Sequence, residues 1–77
     1  MTQTQTKLIQ IAAKRFGKDP ASLAPTDDFF EKLRIDSISA LNLLSELEMA
    51  FDVEIPDYEL QDVKTFSALA DVIDRRK

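Results

Sequence analysis

Apolar positions recur at helical spacing in three places along the chain. From a polar, Thr-rich start, Leu8, Ile11 or Ala12, and then Arg15 or Phe16 follow one another at intervals of three to four. That spacing predicts a helix over roughly 3–16. Lys14 and Arg15 fall in its last turn, where cations suit the helix dipole, and Gly17 follows as the residue that ends it. Ala40, Leu43, Leu44, Leu47 and Phe51 form a second stripe and predict a helix over roughly 37–51. Ile38 and Leu41 lie towards a different flank of that helix, where they either widen the core stripe or face a partner. The third pattern is Phe66, Leu69, Ala70 and Ile73, with Thr65 placed as its N-cap and Arg75, Arg76 and Lys77 at its C-terminal end.

The intervening segments read differently. Residues 17–36 form a long connection. Within it, Asp19-Pro20 opens a short turn through Leu23, Ala24-Pro25 punctuates again, and Phe29, Phe30 and Leu33 supply apolar anchors. Phe51 to Pro56 alternates as an extended link, and Asp57 is placed to cap a short third helix through about Gln61. The expected architecture is all-α. It is a small four-helix bundle with three main helices, one short third helix, a long loop between the first two, and no β-sheet. At 77 residues, the chain is expected to form one domain over 1–77.

Charge and composition narrow the function classes. The chain is 44% hydrophobic and 31% charged, an ordinary globular balance. Residues 27–62 hold eleven acidic and two basic side chains, whereas both flanking segments are net basic. An acidic centre argues against nucleic-acid binding and favours basic protein partners. The polar N-terminus and the lack of any apolar run near the ~20 residues of a membrane span point to a cytoplasmic protein without membrane insertion. There is no His and no Cys. A Ser-His-Asp triad, a Cys-His pair and a His-ligated zinc site therefore cannot be assembled from this chain.

The stretch LRIDSISALNLL, Leu33 to Leu44, concentrates the remaining chemistry. Asp36 and Ser37 sit where the first amides of the second predicted helix point outward, so either side chain can cap it. The same position suits a phosphate, because free N–H groups and the helix dipole both favour an anion there. A lone serine with no neighbouring base is a poor nucleophile, so any reaction at Ser37 needs groups from another protein.

The segment FFEKLRIDSISALNLLSELEMAFDVEIPD resembles the central part of acyl carrier proteins, which bear 4′-phosphopantetheine on the Ser of an Asp-Ser-Leu motif. Here the motif reads Asp36-Ser37-Ile38. Phe29 and Leu33 precede it, and Glu48, Phe51, Ile55, Pro56 and Asp57 follow in the family's order, with Thr65 and Ile73 fitting the last helix. The resemblance implies a carrier that catalyses nothing itself. A phosphopantetheinyl transferase would attach the arm from coenzyme A to Ser37, with Asp36 near the transferase's metal. The arm's thiol would then hold acyl groups as thioesters for delivery to acyl-loading and synthase or transferase enzymes with basic docking patches. By the same resemblance, Ile38, Leu41 and Glu48 are carried over as recognition residues. Leu44, Leu47, Ile55, Val63 and Leu69 are candidates for an acyl pocket, and equally for plain core. A monomer is expected.

The sequence also departs from the family pattern. Arg34 stands where Gly is usual and Ile35 makes the approach bulkier; Asn42, Ser45 and Met49 occupy positions more often acidic or apolar. These departures suggest a specialised carrier serving a dedicated synthase or ligase of fatty-acid, polyketide or related biosynthesis. Alternatives are an aminoacyl or peptidyl carrier, a D-alanyl carrier, or a helical interaction module in which Ser37 stays unmodified.

Overall fold

The computed structural model describes residues 1–77 and contains four α-helices: α1 (Gln3–Phe16), α2 (Phe29–Leu33), α3 (Ser37–Phe51) and α4 (Phe66–Arg76). Single 3₁₀ turns occupy Pro20–Ser22 and Asp57–Leu60. Helices α1 and α4 pack most extensively on each other, and α1 also packs on α3. One cluster of 17 buried apolar residues joins all four helices, with Leu8, Leu47, Phe66 and Ile73 fully enclosed. Burial of each such side chain contributes about 1.5–3 kcal/mol, which a domain this small needs.

Each helix begins and ends for a local reason. Thr2 and Gln5 form a reciprocal capping box at the start of α1, the Thr2 hydroxyl accepting the Gln5 N–H at 3.0 Å. Gly17 ends α1 with φ +66°, a conformation that a residue without Cβ adopts freely. Asp19 accepts the Ala21 N–H at 2.9 Å and opens the Pro20–Ser22 turn as its sequence predicts. Thr65 caps α4 through the Ala68 N–H at 3.1 Å.

Two expectations are corrected. The long connection contains a helix of its own, α2, because the Asp28 carboxylate accepts the N–H groups of both Phe30 and Glu31, at 2.8 and 3.2 Å. This helix is pinned to the start of α4: the Phe29 N–H donates to the Lys64 carbonyl at 2.9 Å, and Asp28 and Thr65 pair as an isolated bridge. Phe29 and Leu33 are thereby buried, and the Phe29 ring meets that of Phe66 at 5.9 Å. The second correction concerns the short third helix. It is a 3₁₀ turn whose cap position is held by Pro56, with no side-chain cap bond, and Asp57 is its first residue rather than its cap.

That turn is fastened from outside the core. Glu59 pairs with Arg76 at 2.7 Å and with Arg75 at 3.9 Å, and Arg76 also donates to the Tyr58 hydroxyl at 3.1 Å. At the far end of α3, Lys7 and Lys77 place their ammonium groups 4.8 and 5.3 Å from the centre of the Phe51 ring. The Lys77 ammonium also donates to the Thr4 hydroxyl, which in turn donates to Asp74.

Candidate functional site

Ser37 is the first helical residue of α3, and Asp36 is the cap. The Asp36 carboxylate accepts the Ser39 N–H at 2.8 Å, which settles the local competition between the two side chains. Ser37 is exposed and its hydroxyl has no intramolecular hydrogen-bond partner. The Ser39 amide and hydroxyl hold the Asp36 carboxyl below the ordinary carboxylate range, so it is ionised at neutral pH. A free hydroxyl beside a fixed anion and the open first turn of a helix is thus presented to solvent.

Behind Ser37 lies an apolar cleft of about 210 Å³. Phe29 and Phe30 of α2 wall one side, their rings 4.7 Å apart. Ala40, Leu41, Leu43 and Leu44 of α3, Leu60 and Val63 from the segment before α4, and Leu69 of α4 complete the lining. Ser37 is the only polar residue of its lining. Of the residues singled out as pocket candidates, the cleft therefore brings together Leu44, Val63 and Leu69. Leu47 and Ile55 are buried in the core and do not line it. Phe30 and Leu60 do line it; Phe30 was readable only as an anchor, and nothing in the local pattern marks Leu60.

The recognition candidates separate in a similar way. Ile38 and Leu41 are 70% and 55% exposed. Glu48 is half-buried, and its carboxylate accepts the Ile55 N–H at 2.9 Å, which secures the extended link after α3. Met49, 84% exposed, is the most exposed large apolar side chain. Arg34 closes α2 with φ +54°, in the region that favours glycine, and forms no ion pair. No cluster of side chains suited to a metal ion is present, and no helix is long and apolar enough to cross a membrane.

A compact bundle that offers one free serine hydroxyl at a helix start, beside a cleft of apolar side chains, has the form of a carrier for a tethered group. A family model described as the phosphopantetheine attachment site matches residues 6–73, and the chain belongs to that family. It is 33% identical to the acyl carrier protein of Syntrophobacter fumaroxidans over 95% of this chain and 90% of that one. It is 37% identical to that of Rubrobacter xylanophilus, covering 87% and 83% of the two chains. For Thermosynechococcus vestitus the identity is 36%, covering 91% and 86%. The prosthetic group of this family is 4′-phosphopantetheine, covalently attached, and its members are carriers that work with other enzymes.

Proposed function

We propose that Ser37 carries the arm and that the protein is an acyl carrier whose cargo is a saturated or otherwise apolar acyl group. One observation carries this reading: the unpartnered Ser37 hydroxyl is the single polar group on the wall of an apolar cleft. The residues fit the group. The α3 start, beside its Asp36 cap, would hold the phosphodiester's negative charge, and the cleft that Ser37 lines would be open to a chain tethered there. Once attached, the arm supplies the thiol that a chain without cysteine lacks.

In the loading step, Ser37 Oγ attacks the phosphorus of coenzyme A that bears pantetheine. One P–O bond forms to Oγ, the pyrophosphate P–O bond breaks, and adenosine 3′,5′-bisphosphate leaves. The hydroxyl proton passes to a base of the transferase, because this chain has no His. Asp36 fixes the helix start by accepting the Ser39 N–H, and its carboxylate would lie near the transferase's metal.

Attachment is tested by incubating the apo protein with a broad-specificity phosphopantetheinyl transferase and coenzyme A, then mapping the modified peptide. The arm is expected on Ser37 and absent from Ser37→Ala. A protein that gains no mass is an interaction module instead.

The left-handed Arg34 before Ser37 and the uncharged Asn42, Ser45 and Met49 on α3 support a specialised carrier with a dedicated synthase or ligase. Equal rates with general fatty-acid elongation enzymes and with a cognate system would refute that specialisation.

A further inference from the structure

Residues 27–62 hold eleven acidic side chains and only two basic ones, Lys32 and Arg34. Lys32 lies 3.9 Å from the Asp27 carboxylate. Arg34 is exposed and has neither an ion pair nor a side-chain hydrogen bond, although Glu31 and Asp36 are close to it in sequence. Only its backbone is held: the Arg34 N–H donates to the Phe30 carbonyl where α2 ends, at φ +54°. That conformation disfavours a residue with a Cβ. The unmodified chain therefore carries a cation in a strained position and gives its side chain no direct contact.

Attachment of the arm changes the charge around that cation. The phosphodiester on Ser37 adds a second anion next to the Asp36 carboxylate, which is already bonded to the Ser39 N–H at 2.8 Å. Anions on consecutive residues repel each other, and a nearby cation relieves the repulsion. Three peptide units put the Cα atoms of Arg34 and Ser37 at most about 11 Å apart. The arginine side chain from one end and the phosphodiester from the other reach across that span. A guanidinium presents parallel N–H groups that match the two non-bridging oxygens of a phosphodiester.

We propose that Arg34 is the internal counter-ion of the arm: in the modified protein its guanidinium pairs with the phosphodiester on Ser37. This rests on the reading of Ser37 as the attachment residue. Arg34 is then a positioning residue. It ties the first atoms of the arm to the end of α2, the helix whose Phe29 and Phe30 line the cleft.

Arg34→Gln isolates the side chain, because it removes the charge and keeps a Cβ in the same backbone conformation. Melting temperatures of the unmodified and modified forms are compared for the parent and for Arg34→Gln at about 10 mM and about 1 M salt, between which the Debye length falls from about 30 to about 3 Å. At low salt, modification is expected to raise the parent's melting temperature by about 2–8 °C more than it raises that of Arg34→Gln, the scale of one exposed ion pair in a domain of this size. At high salt this excess should fall by half or more. The phosphorus NMR resonance of the arm, recorded on the same samples, should differ between parent and Arg34→Gln at low salt and coincide at high salt. Equal effects of modification on the two proteins at low salt, or an excess that salt leaves unchanged, would overturn the proposal. So would phosphorus resonances that coincide at both salt concentrations. Peptide mapping keeps the two readings apart. A parent protein that takes up no arm on Ser37 removes the attachment reading and this proposal with it; an arm on Ser37 with equal effects in both proteins removes this proposal alone.

Discussion

Loading the arm with saturated acyl groups of increasing length tests the cleft beside Ser37. Its volume is about 210 Å³. At about 30 Å³ for each water-sized group, it accepts roughly seven heavy atoms. A fully buried methylene contributes about 0.8 kcal/mol. The cleft is open along Leu41, which is 55% exposed, so about half that value is appropriate for each methylene inside. Replacing an acetyl by an octanoyl group then stabilises the fold by about 2 kcal/mol once some ordering of the chain is deducted. For a domain of this size that raises the melting temperature by about 8–16 °C. Going on to dodecanoyl should add little, because the cleft is filled. The assay is calorimetry on the acetyl, octanoyl and dodecanoyl proteins. In Ala40→Phe, whose ring occupies the cleft, the dependence on chain length should vanish while the fold persists. Acetyl and octanoyl forms melting within about 2 °C of each other would refute the argument. So would a rise that continues undiminished through dodecanoyl.

Three further outcomes are expected. Thr65→Ala removes the cap of α4 and should cost about 1 kcal/mol, read as a shift of the urea midpoint at unchanged slope. Arg34→Gly should stabilise the protein by up to about 1 kcal/mol in the same measurement, because φ +54° suits glycine and the Arg34 side chain has no ion pair to lose. Asp36 and Glu59 both have carboxyl groups held below their ordinary range, by the Ser39 amide and by Arg76 respectively. Their contribution to stability is complete above the unfolded carboxylate value of about 4 and is lost as pH falls through the lower folded values. Melting temperatures recorded from neutral pH down to about pH 2 should fall less steeply for the Asp36→Asn, Glu59→Gln double variant than for the parent below about pH 4.

The long helices were legible because their signals are local. The bounds of α1 and α3 follow from Gly17, from the apolar stripe through Leu43 and Leu47, and from the Asp-Ser pair before Ile38. Helix α2 was missed because five residues show barely one helical repeat, and what holds it is the distant Lys64 carbonyl. Its Asp28 cap was nevertheless present in the sequence. The 3₁₀ turn after Pro56 differs from the expected helix for a similar reason. The site divides along the same line. Asp36 and Ser37 stand out by chemistry and position, whereas the cleft is assembled from four separate segments. Spacing alone makes Leu44, Leu47 and Leu69 equivalent apolar residues, and only the packing sends Leu47 inward and leaves Leu44 and Leu69 on the wall. Glu48, carried over by resemblance as a recognition residue, has an internal bond that the side-chain pattern does not reveal, because its partner, the Ile55 N–H, is a backbone group.

The fastening of Thr4, Asp74 and Lys77 to one another, with Lys7 and Lys77 against Phe51, gathers both chain ends at one pole. Helix α3 separates that pole from Ser37 by about 22 Å, the length of fifteen helical residues. Either end can therefore serve as a handle. A bead, a sensor surface or a fused reporter attached there leaves Ser37 and the approach to it unobstructed, so single molecules can be held while their cargo is exchanged.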